Sequence, residues 1–143
     1  MKFILLIHVF ATLFMTGLIW FVQIVHYPLF ANIRSDEFKT YEKRHQYLTT
    51  WVVGPAMLVE LATALLLLKY LPVECGTLAW IGAALVAVLW LSTATLSVPA
   101  HNALTVEYST VTHNKLVATN WIRTMTWTVR AILVLIITYR TMN

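Results

Sequence analysis

Four apolar runs, at 3–25, 47–68, 76–98 and 117–139, organise this chain. Each exceeds the ~20 residues an α-helix needs to cross ~30 Å of hydrocarbon. Backbone hydrogen bonding in lipid leaves only helices or closed barrels, and these runs lack the period-two alternation of barrel strands. The pattern predicts an all-α fold: an integral, multi-pass membrane bundle of four transmembrane helices in a single domain, 1–143.

The polar stretches between the runs add detail. Lys69–Cys75 is a tight link punctuated by Pro72. Tyr27–Gln46 and Pro99–Leu116 are long connections on the opposite side. Ser35 followed by Asp36 and Glu37 reads as a helix start, with an N-cap and acids at the positive end of the dipole. A helical membrane-surface segment is therefore expected before the second span, running into it and bending near Gly54-Pro55. Pro99–Leu116 is short in strong helix formers and is expected to be a loop. The first run is longer than a signal-peptide core and no A-x-A-like site follows it, so it is expected to be retained. No internal repeat or lipidation motif stands out.

Hydrophobic residues make up 59% of the chain and charged ones 11%, far from the roughly 25% charged of a soluble domain. The net charge of +4 is scattered and contains no Lys/Arg run, which argues against nucleic acid as a partner and suits anionic headgroups. Arg34, Lys39, Lys43, Arg44 and Lys115 lie on the long-connection side, against Lys2, Lys69 and Arg140 on the other. This asymmetry leans towards cytoplasmic long connections, while the α-amino group pulls the other way. Both termini fall on one side, and the orientation is left open. A single cysteine, Cys75, excludes an internal disulfide.

Three charges interrupt the runs. Glu60 lies in the second, Arg123 and Arg130 in the fourth. An ionisable group at bilayer depth costs at least ~2.5–3.5 kcal/mol, so each needs a partner or a use. At ~1.5 Å per residue, Glu60 and Arg130 both sit ~20 Å from the same membrane face, which predicts an ion pair between them. Arg123 is ~9 Å deep and has no counterpart. It either snorkels to headgroups or, helped by Asn120, awaits an anion, an enolate or a quinone oxygen. Helical periodicity puts Asn120, Arg123, Trp127 and Arg130 on one face of the fourth span. The same arithmetic puts Thr49, Ala56, Glu60 and Thr63 on one face of the second. His8, Thr12, Ile19, Gln23 and His26 form a stripe on the first.

Histidines supply the second constellation. His26, His45 and His101 flank three different spans near one membrane face, and His113 lies near that face too. Such imidazoles suit a single transition metal, with Glu42 or Glu60 as an oxygen ligand, or a general base. Glu42-Lys-Arg-His45 has the E-x-x-H spacing of di-iron bundles, but a single copy does not make such a site. His8 and His26 are ~27 Å apart along one helix and no other span has a histidine, which argues against haem. Gly17 and Gly82-Ala83-Ala84 suit close helix approach.

Ser97-Val98-Pro99-Ala100-His101-Asn102-Ala103-Leu104, with Asn120-Trp121-Ile122-Arg123, resembles the small four-helix membrane proteins grouped with the fungal anthrone oxygenases. His101 stands where that family's turn after the third helix carries its first Asn. The resemblance covers about the last third of the chain. It implies a four-helix bundle and oxygenation of a flat phenolic substrate without a bound cofactor.

Three functions fit these observations. The first is a buried cationic site for a hydrophobic small molecule bearing an anionic or enolisable oxygen, with oxidoreductase chemistry in view. There Asn120, Arg123, Trp127 and Arg130 would bind, and His26, His45 or Glu60 would act in catalysis. The second is a small subunit or assembly factor that meets other membrane subunits, or its own copies, in the bilayer. The third is a metal-binding membrane protein using His26, His45 and His101. The sequence does not decide whether the protein is an enzyme.

Overall fold

The computed structural model describes residues 1–142; Asn143 and the Ser35 side chain, expected as a cap, lie outside the described part. Four long helices follow the apolar runs and extend beyond them: α1 (Lys2–Asn32), α2 (Ser35–Tyr70), α3 (Val73–Val106) and α4 (Thr110–Met142). All four are long and apolar enough to cross a membrane. Only 28–44% of each helix's most apolar window is buried, so most of its apolar side chains face outwards. Phe3, Phe10, Trp51 and Trp80 are among the exposed ones.

The connections are shorter than the sequence predicts. The segment before the second span is continuous with it, and α2 runs unbroken through Pro55. Phe38 and Glu42 on this extension are fully buried, so it packs on the bundle rather than lying apart. The loop expected over Pro99–Leu116 is mostly helix as well. It shrinks to Glu107–Ser109, where the Ser109 Oγ accepts the Thr112 N–H and the Ser109 carbonyl accepts that of His113. Packing of Leu104 and Leu116 against Tyr27, Phe30 and Phe38 compensates the weak helix formers there.

Both α1 and α3 contain a π-helical turn, Val22–His26 and Thr93–Ser97. In each, a proline follows two residues later, Pro28 and Pro99. The Tyr27 N–H donates to the Val22 carbonyl and the Val98 N–H to the Thr93 carbonyl, a one-residue-wider step than in an α-helix. Proline has no N–H and crowds the carbonyl four residues back, and the wider turn accommodates both. Each turn inserts a residue and so rotates everything after it by ~100°. No repeat is evident from residue identities, yet the paired turns and prolines give the two helical hairpins a common plan.

Three apolar layers stack along the bundle. Leu5, Leu67, Val134 and Ile137 form the one near the termini. Met15, Ile19, Met57, Leu89 and Trp127 form the middle one. Tyr27, Phe30, Phe38, Leu104 and Leu116 close the end that carries the α1–α2 and α3–α4 connections. Buried polar groups lie between these layers.

Candidate functional site

The first polar group is saturated. Glu60 Oε1 accepts from Arg130 Nε at 3.0 Å and from Thr12 Oγ1 at 2.9 Å, while Oε2 accepts from Trp127 Nε1 at 3.0 Å. Arg130 Nη2 also lies 3.0 Å from Glu60 and 3.3 Å from His8 Nε2, and its Nη1 donates to the Gly82 carbonyl. His8 Nδ1 and Thr63 Oγ1 complete the group at 2.7 Å. All four helices contribute, and the ion pair expected from equal depth is present. With both charges buried and their bonds filled, this group is a cross-brace, and Glu60 has no free oxygen for catalysis or for a metal.

Gly82 lies where α3 meets α4: a Cβ there would come within 3.2 Å of Leu133 Cδ2. Nothing lies within 4 Å of a Cβ built on Gly17, so that glycine, unlike Gly82, is not at a close helix approach.

The second polar group is not saturated. Arg123 is buried at 6% exposure, so it does not snorkel. Its Nη1 donates to Ser97 Oγ at 3.3 Å and to Asn120 Oδ1 at 3.2 Å, and its Nε has no partner. Among the described residues no carboxylate lies within ion-pair distance of it. The guanidinium stands 5.3 Å from the Trp127 ring centroid. Asn120 is itself held by Gln23, whose Oε1 accepts from Asn120 Nδ2 at 2.8 Å. Gln23 Nε2 in turn donates to the Val117 carbonyl at 3.2 Å.

Beside Arg123 runs a chain of acid, imidazole and phenol. Glu42 Oε1 and His101 Nδ1 are 2.5 Å apart, and His101 Nε2 lies 2.8 Å from the Tyr27 hydroxyl. Glu42 is fully buried, and its Oε2 has no hydrogen-bond partner. A buried acceptor left without a partner costs ~1–3 kcal/mol, more when charged. His45 Nδ1 contacts His26 Nε2 and Thr49 Oγ1, both at 3.1 Å. Phe30 is the hub, with ring centroids 5.0 Å from His26 and 5.2 Å from His45. His113 contacts the Tyr27 carbonyl at 2.8 Å and so serves the fold.

These groups border a cavity of about 340 Å³. Met15, Ile19, Val22, Val53, Met57 and Trp90 give it apolar walls; Tyr27, His45, His101 and Arg123 are its polar end. Its exposed lining residues, Thr50, Val98 and Asn102, place the mouth between α2 and α3. The volume and the mix of apolar wall with a few convergent polar groups are those of a small-molecule site.

The structure therefore sorts the residues singled out from sequence. Arg123, His45 and His101 reach the cavity. Asn120 and Trp127 stand behind Arg123 and orient it, while Arg130 and Glu60 belong to the brace below. His26 is partly exposed, contacts His45 and does not line the cavity, and Glu42 takes its place beside His45 and His101. Tyr27 and Ser97 were missed. The available signal was Pro28 and Pro99, each close after a polar helix end. The stripe drawn through His26 assumes an unbroken α-helix, whereas the π turn brings Tyr27 inwards instead.

No known protein family, curated protein or solved structure matches this chain.

Proposed function

We propose that this is a multi-pass membrane protein whose cavity binds a hydrophobic molecule through an anionic or enolisable oxygen held by Arg123. One observation carries this reading: a buried guanidinium with a free Nε and, among the described residues, no carboxylate partner lines the polar end of a largely apolar-walled cavity. Burying a charge without a counter-charge is costly, and an anionic ligand would supply the missing partner. Outward-facing apolar side chains on all four helices support the membrane setting. They also give a hydrophobic ligand a route from the bilayer to the mouth between α2 and α3.

Arginine suits the task because its planar fork stays charged and donates parallel N–H bonds to two oxygens side by side.

The test is calorimetric titration of the detergent-purified protein with 2-hydroxy-1,4-naphthoquinone, which is an anion at neutral pH, and with its neutral parent 1,4-naphthoquinone. The hydroxylated probe should bind more tightly, and Arg123→Ala should remove that preference. Loss of a charged hydrogen bond of ~1.5–3 kcal/mol corresponds to roughly 10–150-fold in affinity. Arg123→Lys should fall between, because it keeps the charge without the fork. Equal affinity for both probes, or an Arg123→Ala variant that binds like wild type, would refute the proposal.

A further inference from the structure

The Arg123 cavity leaves one feature unexplained: the donor set around Glu42. This carboxylate and His45 are three residues apart on α2, and α3 brings His101 against them. One ligand atom from each of the three lies within 4.8 Å of the others. Glu42 is fully buried and its Oε2 is unpartnered. Among the hydrogen bonds of His45, Nδ1 is engaged by His26 and Thr49, which leaves Nε2 available.

We propose that Glu42, His45 and His101 bind a single divalent transition-metal ion of the borderline class, such as zinc or ferrous iron. Two imidazoles and one carboxylate are the donor set such ions take when a coordination position stays open for another ligand. Tetrahedral coordination at ~2.0–2.2 Å sets donor atoms roughly 3.3–3.6 Å apart, so the three side chains would close on the ion by up to about 1–1.5 Å through rotamer adjustment.

The surroundings suit an ion as well. His101 could ligate through Nδ1, the nitrogen that now faces Glu42, while Nε2–H donates to the Tyr27 hydroxyl. The Thr49 and His26 contacts would fix the His45 ring from behind. Outer hydrogen bonds of this kind set ring orientation in metal sites. An ion there would replace the proton shared between Glu42 and His101, give Oε2 a partner, and sit at the polar end of the cavity. This assignment stands on the donor set alone and does not depend on Arg123 binding an anion.

The experiment uses the full chain in mild detergent, stripped with a chelator and titrated with Co²⁺, whose visible bands report coordination, followed by displacement with Zn²⁺. One saturable equivalent is expected. Glu42→Gln and His101→Ala should each weaken it by more than the roughly 10–100-fold typical of losing an outer-shell partner. Wild-type protein that binds Co²⁺ but not 2-hydroxy-1,4-naphthoquinone, or the reverse, separates failure of the cavity reading from failure of this site. A second measurement needs no variant. Zn²⁺ should slow diethylpyrocarbonate modification of His45 and His101 in the wild-type protein, read by peptide mass spectrometry. Absence of saturable Co²⁺ binding, equal affinity in the folded Glu42→Gln and His101→Ala proteins, or unchanged modification rates would overturn the assignment.

Discussion

Replacing Glu60 with leucine removes the carboxylate that pairs with Arg130 and leaves that guanidinium buried at 1% exposure. Arg130 keeps the Gly82 carbonyl and the contact with His8, but no negative charge. Breaking one side of a buried pair costs ~3–5 kcal/mol. Thr12 Oγ1 and Trp127 Nε1 lose their acceptor at the same time, a penalty that overlaps with the first rather than adding in full. A cost near ~4 kcal/mol is a large part of a typical stability of 5–15 kcal/mol. The double change Glu60→Leu with Arg130→Met should recover most of it, because two apolar side chains of similar size leave no orphaned charge. The assay is reversible unfolding in mixed micelles titrated with dodecyl sulfate, followed by circular dichroism, for both single variants and the double. A Glu60→Leu cost under ~1 kcal/mol, or a double variant equal to the sum of its parts, would refute the brace.

Gly82→Ala should leave the fold less stable than Gly17→Ala does by ~1 kcal/mol or more, since its new methyl group meets Leu133 Cδ2 at 3.2 Å and this crowding offsets the helix-propensity gain. Gly17→Ala, measured by the same unfolding assay, should be neutral or mildly stabilising because its added methyl group meets open space. Tyr27→Phe removes the hydroxyl at His101 Nε2 and should cost about 1 kcal/mol, as read by the same unfolding titration, while leaving the far-ultraviolet spectrum unchanged.

The four helices were legible because a run of some 20 apolar residues has few folded alternatives in lipid. The Glu60–Arg130 pair was legible for a similar reason: equal depth on two helices is simple arithmetic. Other features depend on packing. Leu104 and Leu116 carry weak helix formers into α3 and α4 only because Phe30 and Phe38 wait to cover them. The E-x-x-H spacing marks Glu42 as a candidate oxygen ligand, but its full burial against His101 depends on how α2 packs and could not be read from spacing. The π turns displaced the stripe in α1, since 100° per residue holds only while the α-helical register holds. A proline shortly after a polar helix end was the visible clue in both α1 and α3.

The central claim is that Arg123 holds the acidic oxygen of a hydrophobic molecule, and native mass spectrometry of the protein isolated from its cells in mild detergent tests it most directly. Wild type should carry about one such molecule per chain, identified after extraction as a hydrophobic acid, phenol or enol, and Arg123→Ala should have lost it. The same molecules released from both proteins, or none bearing an acidic oxygen from wild type, would contradict the claim.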